Sequence, residues 1–380
     1  MNALTMPSNW QRVRLGDIAE IIGGGTPSTQ VASFWNGSIN WFTPTEIGIT
    51  KYVHKSQRTI TLLGLKKSSA KLLPIGTILL TSRASIGDCA ILKVVATTNQ
   101  GFQSLIPLEK INNEFLYYLM LTLKNKLLKL ASGSTFLEVS PNKIKNLLIP
   151  LPPLNEQIAI ANILSDVDHY LYTLDALILK KESVKKALSF ELLSQRKRLK
   201  GFNQAWQKVR LGDICEITTG SLDANEMVHY GKYRFYTCAK EYYFIDKYAF
   251  DTEAILISGN GAYVGYVHYY KGKFNAYQRT YVLDNFSEHI MFVKYFLTMF
   301  LQSHIQTNRN EGNTPYIVMA TLKDFEILLP PLNEQIAIAN ILSDLDHEIT
   351  SLKNKKRQFD NIKKALNHDL MSAKIRVLKK

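Results

Sequence analysis

The chain has 380 residues, enough for two domains of ordinary size plus connecting helices, and 46% of them are hydrophobic, ample for packed cores. A formal net charge of +14 points to a polyanionic partner, either nucleic acid or an anionic membrane surface. The membrane option weakens because the longest apolar stretch, around Phe115 to Leu123, falls far short of the roughly 20 residues a spanning helix needs.

Met1 to Trp10 lacks a basic start followed by an apolar run, so no signal peptide is expected and the location is read as cytoplasmic. Residues 1–150 mix short apolar runs with glycine, proline and asparagine, as in Gly23-Gly-Gly-Thr-Pro27, Asn36-Gly37 and Ile75 to Ser82. The pattern predicts a mainly β domain with a helix near Asn113 to Leu130. Residues 151–200 then open with Leu-Pro-Pro-Leu-Asn-Glu-Gln, where the prolines hold an extended lead-in and Asn155 can cap a helix. Glu156 would sit at the positive end of that helix's dipole. Apolar residues follow every three or four positions, as Leu164, Val167, Leu171, Leu174 and Ile178, which is a coiled-coil seam.

Residues 201–328 form a second block, with strand-like Ala254 to Ser258, Tyr263 to Tyr270 and Thr280 to Leu283, and a helix near Glu288 to Gln306. Residues 329–380 return to a seam, through Leu342, Leu345, Ile349 and Leu352, then Phe359, Ile362 and Leu366. Neither seam meets a proline or glycine before about Leu199 or Leu378, so each helix is predicted to run some 40 residues, roughly 60 Å.

An internal repeat decides the architecture. Trp10 to Ile21 returns as Trp206 to Ile217, and Leu151 to His169 returns as Leu329 to His347 with only Val167 replaced, by Leu345. The same register carries Lys185-Lys-Ala-Leu188 onto Lys363-Lys-Ala-Leu366. Between these signposts the halves diverge, and the second block is 18 residues shorter than the first. A duplicated scaffold holding unlike contents suits the recognition of two different things, although a duplicated enzyme with diverged specificities would show the same pattern. The fold class read from this is α+β: two similar mainly β domains with a few helices, separated by two long helices that form an antiparallel coiled coil. Parallel pairing and plain domain-packing helices are the alternatives.

Charge divides unevenly. Residues 1–150 carry 16 basic and 7 acidic side chains, whereas 201–332 carry 12 and 13. The second block holds 14 of the 19 tyrosines instead, and tyrosine can contact sugar, phosphate or base edges as well as fill a sheet core. A local basic face of Lys232, Arg234, Lys240 and Arg279 would compensate for its weak charge.

Catalytic signatures are missing. Gly259 to Gly265 reads GxGxxxG without a strand-to-helix setting and is taken as turn geometry. Asn313-Thr-Pro-Tyr316 has the form of a base-holding loop, but its repeat counterpart, starting at Ser134, does not. No phosphate cradle ending in Lys-Ser or Lys-Thr occurs, and no metal-nuclease constellation. Cys89, Cys215 and Cys238 lack CxxC spacing, and Asp166, Asp168 and His169 fall on different sides of a helical turn, so neither a disulfide nor a metal site is expected.

Taken together, Leu-Gly-Asp-Ile at Leu15 and Leu211, Gly25-Thr-Pro-Ser28, Phe34-Trp-Asn-Gly, Trp41-Phe-Thr-Pro, Ser82 to Gly87, Asn99-Gln-Gly-Phe102 and both Leu-Pro-Pro-Leu-Asn-Glu-Gln segments carry a resemblance. The chain resembles the specificity subunit family of type I restriction-modification systems over nearly its whole length. The second block departs from the pattern at Thr219 to Leu222 and Tyr277 to Thr280, so its contacts cannot be copied from the first.

The resemblance implies a non-catalytic subunit with two target recognition domains, 1–150 and 201–328, and two spacer helices, 151–200 and 329–380. Each domain would read one half of a bipartite, asymmetric double-stranded DNA site. It implies two methyltransferase subunits that bind S-adenosylmethionine and methylate adenine, and translocase-nuclease subunits that use ATP and magnesium, with no cofactor in this chain. Candidate DNA contacts are Thr26, Ser28, Arg83, Gln100, Lys232, Arg234, Lys240 and Arg279. A self-contained duplicated methyltransferase or nuclease, and a coiled-coil adaptor that binds proteins, are the competing readings.

Overall fold

The structure, a computed structural model, describes residues 7–132, 137–308 and 315–377. The chain divides into two compact units, one made of Met1–Leu174 with Lys355–Lys380 and the other of Asp175–Asn354. Among the described residues the helices are α1 (Leu62–Lys66), α2 (Asn113–Leu130), α3 (Pro141–Lys145), α4 (Leu154–Leu193), α5 (Ile290–Asn308), α6 (Met319–Lys323) and α7 (Leu332–Met371). Both long helices, α4 and α7, start in one unit and end in the other.

The first unit carries β1 (Gln11–Arg14), β2 (Ala19–Gly23), β3 (Trp35–Phe42), β4 (Tyr52–Val53), β5 (Arg58–Ile60), β6 (Ile78–Leu80), β7 (Cys89–Leu92), β8 (Ala96–Thr98), β9 (Gln103–Pro107) and β10 (Leu148–Leu151). The second carries β11 (Gln207–Arg210), β12 (Glu216–Thr219), β13 (Tyr233–Tyr236), β14 (Tyr243–Ile245), β15 (Phe250–Ser258), β16 (Val267–Ala276), β17 (Thr280–Asp284) and β18 (Glu326–Leu329). In the second unit one six-stranded sheet runs β12-β17-β15-β16-β13-β14. The first unit repeats that order in two pieces, β2-β9-β6-β7-β4 and β5-β3-β8. The long strand β16 corresponds to β7 and β8 together: it pairs antiparallel with β15 from Val267 to Phe274 and parallel with β13 from Phe274 to Ala276, as β7 does with β6 and β8 with β3. An interruption at Lys93–Val95 is what splits the first sheet, so the shared fold expected of the two blocks is present with one strand broken.

Within each unit the α4 and α7 segments pair antiparallel. In the first unit Asp168 pairs with Lys363, the rings of Tyr170 and Phe359 lie 4.6 Å apart, and Glu156 meets Arg376. In the second, Glu182 meets Lys353 at 2.6 Å, Lys185 pairs with Asp346, and Arg198 meets Glu334 at 2.8 Å. Among the seam residues Leu164, Leu171, Leu174, Ile178, Leu342 and Ile349 are buried, and Val167, Leu345, Leu352, Phe359 and Leu366 are half-buried. Ile362 is a correction: it is 50% exposed, because the inward stripe runs Phe359, Lys363, Leu366, Leu370 and the Lys363 ion pair takes the position the spacing offered to Ile362. Its repeat counterpart Val184 is likewise exposed.

Each long helix runs 40 residues, the expected length, and ends at Leu193 or Met371, short of the Leu199 and Leu378 to which the absence of glycine and proline reached. Gln195 and Ala373, equivalent in the repeat, take left-handed conformations at φ 60° and 58°. The N–H groups of Lys197 and Lys374 then turn back onto Glu191 O and Asp369 O, closing each helix without glycine. At the other end the carbonyls of Pro153 and Pro331 cap α4 and α7, accepting from the N–H groups of Glu156 and Gln157 and of Glu334 and Gln335; of the two expected caps, Asn155 and Asn333, the Asn333 side chain also accepts from Glu334 N at 2.9 Å.

The repeated glutamate and glutamine do more than begin a helix. Glu156 is almost fully buried, accepting from Trp10 Nε1 at 3.1 Å and from Arg376 Nε at 2.8 Å. Glu334 repeats this with Trp206 Nε1 at 3.1 Å and both Nε and Nη2 of Arg198. One residue on, Gln157 Oε1 accepts from Asn112 N, the cap residue of α2, while its amide donates to Lys110 O and Pro152 O. Gln335 does the same for His289 N ahead of α5. Each short domain helix is thereby stapled to the start of a long one. A buried carboxylate stripped of its cation is costly, so Arg198→Ala is expected to destabilise the protein by about 3–5 kcal/mol. Urea unfolding, monitored by circular dichroism, measures the loss.

Candidate nucleic-acid interface

In each unit three loops converge at one end of the sheet. In the first unit they are 24–28 after β2, 82–87 after β6 and 99–101 between β8 and β9. Gly25 N donates to Thr98 O, Ser82 N to Gly101 O and Asn99 N to Phe42 O, each at 2.8–3.1 Å. Gly24 lies so close to this turn that a β-carbon would overlap Asn99 O. Two buried indoles hold the first loop from beneath: Trp41 Nε1 donates to Gly25 O at 2.9 Å and Trp35 Nε1 to Ser28 O at 3.0 Å. On this platform Thr26 Oγ1 donates to Gln100 Oε1, bringing two candidate residues together, with Ser28 exposed beside them. Arg83 belongs to the second loop, but its guanidinium is paired with Glu138 at 2.9 Å, so its charge is already answered.

The second unit rebuilds the same convergence from other residues. Loops 220–222, 259–265 and 277–279 are joined by Gly220 N to Thr280 O, Gly259 N to Arg279 O, Gln278 N to Leu222 O and Tyr277 N to Tyr236 O. Gly265 stands where Gly87 does, at φ 79° against 89°, and donates to Ser258 O as Gly87 does to Thr81 O. The GxGxxxG stretch is thus turn geometry. Arg279 is exposed at the tip of the third loop. Lys240 lies over the Tyr263 ring at 5.1 Å. Arg234 is clasped between the rings of Tyr242 and Tyr270, at 4.3 and 4.5 Å, and donates to Tyr236 Oη. Beneath them burial pushes the His268 imidazole below its ordinary pKa, against the opposing hydrogen bond to Ala239 O, so the cationic character here comes from lysine and arginine.

Lys232 does not join this group. It precedes β13, whereas the loops gather beyond that strand's far end. Asn313 and Thr314, like Ser134, lie outside the described residues; Tyr316 bridges to Asn260 in the second loop.

Sequence reasoning missed a basic face. Arg58, on β5, lays its guanidinium 3.8 Å from the Trp35 ring and is exposed. Lys66, Lys67 and Lys71 are exposed on the segment whose Ser69 and Ala70 pack against Gly25, and none of the three is ion-paired among the described residues. The signal was available: from Ile47 to Gly87 there are seven basic residues and no acidic one. Among the described residues no group of metal-ligating side chains is gathered, and no helix is long and apolar enough to cross a membrane.

The family model described as "Type I restriction modification DNA specificity domain" matches residues 7–181 and 203–359, taking in both units. The chain belongs to that family. This specificity subunit is 29% identical to the type I restriction enzyme MjaIX specificity subunit of Methanocaldococcus jannaschii, over 98% of this chain and 95% of that one. It is 38% identical to the EcoDI specificity subunit of Escherichia coli over 44% of this chain and 37% of that one. In fold it is similar to the crystal structure of a type I S subunit from M. genitalium, with TM-score 0.65 and 18% identity over 98% of each chain. The specificity subunit is the DNA-recognition component of a type I restriction-modification assembly, and neither a self-contained enzyme nor a protein adaptor is favoured.

Non-specific affinity should reside in the acid-free face. Replacing Lys66, Lys67 and Lys71 with alanine together is expected to weaken binding to every DNA sequence alike and to lower the slope of log K against log salt by roughly two to three. A salt titration of the assembled complex on specific and random duplexes checks both.

Proposed function

We propose that the two loop clusters, within target recognition domains 1–150 and 201–328, each read one half of a bipartite, asymmetric site in double-stranded DNA. The carrying observation is that the same three loops, the second and third joined by matching backbone bonds, present almost wholly different side chains in the two units. A common frame with unlike tips recognises two unlike half-sites. Thr26, Ser28, Gln100, Lys240 and Arg279 are the proposed contacts, with Arg234 and Arg58 held on aromatic faces beside them. Arg83 and Lys232 are secondary, for the reasons given above.

The long helices act as the spacer. Deleting one heptad from each of α4 and α7 is expected to change the separation of the half-sites by about three base pairs, since seven helical residues span about 10 Å against about 3.4 Å per base pair. Sequencing of methylated adenines in DNA exposed to the assembled complex reads both the half-sites and their spacing. Half-sites that change while the spacing stays fixed would refute the assignment.

Adenine methylation itself falls to two methyltransferase subunits carrying S-adenosylmethionine, and cleavage to translocase-nuclease subunits using ATP and magnesium, in the cytoplasm. Support for two copies of one partner comes from the repeat. Leu154, Ile158 and Asn162 are exposed on α4, and Leu332, Ile336 and Asn340 are exposed and identical on α7, where neither packing nor hydrogen bonding inside this chain requires identity. Ile158→Asp is expected to remove one methyltransferase subunit from the complex and Ile158→Asp with Ile336→Asp to remove both. Native mass spectrometry counts them.

A further inference from the structure

Across the three converging loops of the two units a single side chain is retained at an equivalent position. Asn99-Gln100-Gly101 in the first unit and Tyr277-Gln278-Arg279 in the second differ on both sides of the glutamine. The equivalence rests on the backbone: Asn99 N and Tyr277 N donate to Phe42 O and Tyr236 O, while Gly101 O and Arg279 O accept from Ser82 N and Gly259 N. Each glutamine is therefore the first of two turn residues, pinned before and after, with its side chain exposed.

Neither glutamine is needed to make its turn. The first turn is closed by Asn99 Oδ1, which accepts from Gly101 N at 2.8 Å. The second is closed by Thr280 N donating to Tyr277 O at 2.7 Å. What a glutamine offers at such a tip is a carbonyl acceptor beside an amide donor, the complement of the N6–H and N7 edge of adenine in the major groove. In the first unit the Thr26 hydroxyl donates to Gln100 Oε1, which orients the amide. A carbonyl oxygen has a second lone pair, and both Nε2 protons stay available. In the second unit the residue matching Thr26 is Leu222, which cannot donate, and Arg279 instead adds a guanidinium fork suited to guanine O6 and N7 at the next position.

We propose that Gln100 and Gln278 are equivalent adenine readers, one for each half-site, and that their differing neighbours make the two half-sites unlike. This rests on the reading that the loop clusters recognise DNA. The test uses the specificity subunit assembled with its methyltransferase partner and S-adenosylmethionine. Methylation rates are compared on duplexes in which each base pair of the wild-type site is changed in turn.

Gln278→Ala is expected to lose on the order of 10- to 100-fold of discrimination at one A·T pair of one half-site and none elsewhere. Gln100→Ala should do the same in the other half-site. Gln278→Glu and Gln100→Glu keep the turn and side-chain size but lose the amide donor, and should relax the same pair. A uniform fall in rate at every position, or unchanged discrimination throughout, overturns the proposal. A wild-type complex that methylates no bipartite site would instead sink the DNA-recognition reading beneath it, so the two failures are told apart.

Discussion

A buried carboxylate in each unit is the point on which the remaining packing hangs. Glu156 and Glu334 each sit at a helix start with an indole N–H and a guanidinium as partners, and the neighbouring glutamine ties down the backbone ahead of a domain helix. A charge withdrawn from water is tolerable only when its oxygens are answered, so tryptophan, arginine and long helix must arrive together. The same short motif fixes the first strand's approach, the start of the long helix and the return of its partner's last turn. That explains why Leu-Pro-Pro-Leu-Asn-Glu-Gln is identical in the two copies and the Trp10 and Trp206 segments nearly so, while the blocks between them diverge.

A further polar cluster ties each domain helix to the paired helices. Tyr118 donates to Asp168, which Lys363 also meets; Tyr295 donates to Asp346, which Lys185 also meets. Burial, reinforced by the hydrogen bond to Asp346, pushes the Tyr295 phenol far above its ordinary range. Burial works against ionised Asp346, but the bonds from Lys185 and Tyr295 hold its carboxyl below the usual value. Scaffold charges are thus consumed internally, whereas Arg279 and the lysines beside Gly25 are left facing outward. Structure and recognition draw on separate sets of cations.

Much of this was legible in the chain. The β punctuation, the helix at Asn113–Leu130 and the twin seams follow from spacing, because amphipathic period and turn residues are local signals. What escaped was non-local or conformational. Gln195 and Ala373 end the long helices in a left-handed conformation that neither residue type advertises. Ile362 satisfied the spacing of a seam, yet Lys363 took the inward position through an ion pair 195 residues away in sequence. Arg58 and its tryptophan platform depend on β3 and β5 lying side by side. The run from Ile47 to Gly87 without an acidic residue, by contrast, was visible in composition alone, and totals over whole blocks diluted it.

The discontinuous make-up of the first unit bears on how the protein emerges from the ribosome. Residues Asp175–Asn354 are contiguous and can close on themselves during synthesis, whereas the unit begun by residue 7 waits for Leu370, Met371 and Arg376 to complete its core and to answer Glu156. Chains with several domains commonly mature from the amino terminus onward. Here the order is reversed: the half translated first is finished last, and until then Glu156 lacks its guanidinium partner and the apolar residues that Leu370 and Met371 pack against lack their cover.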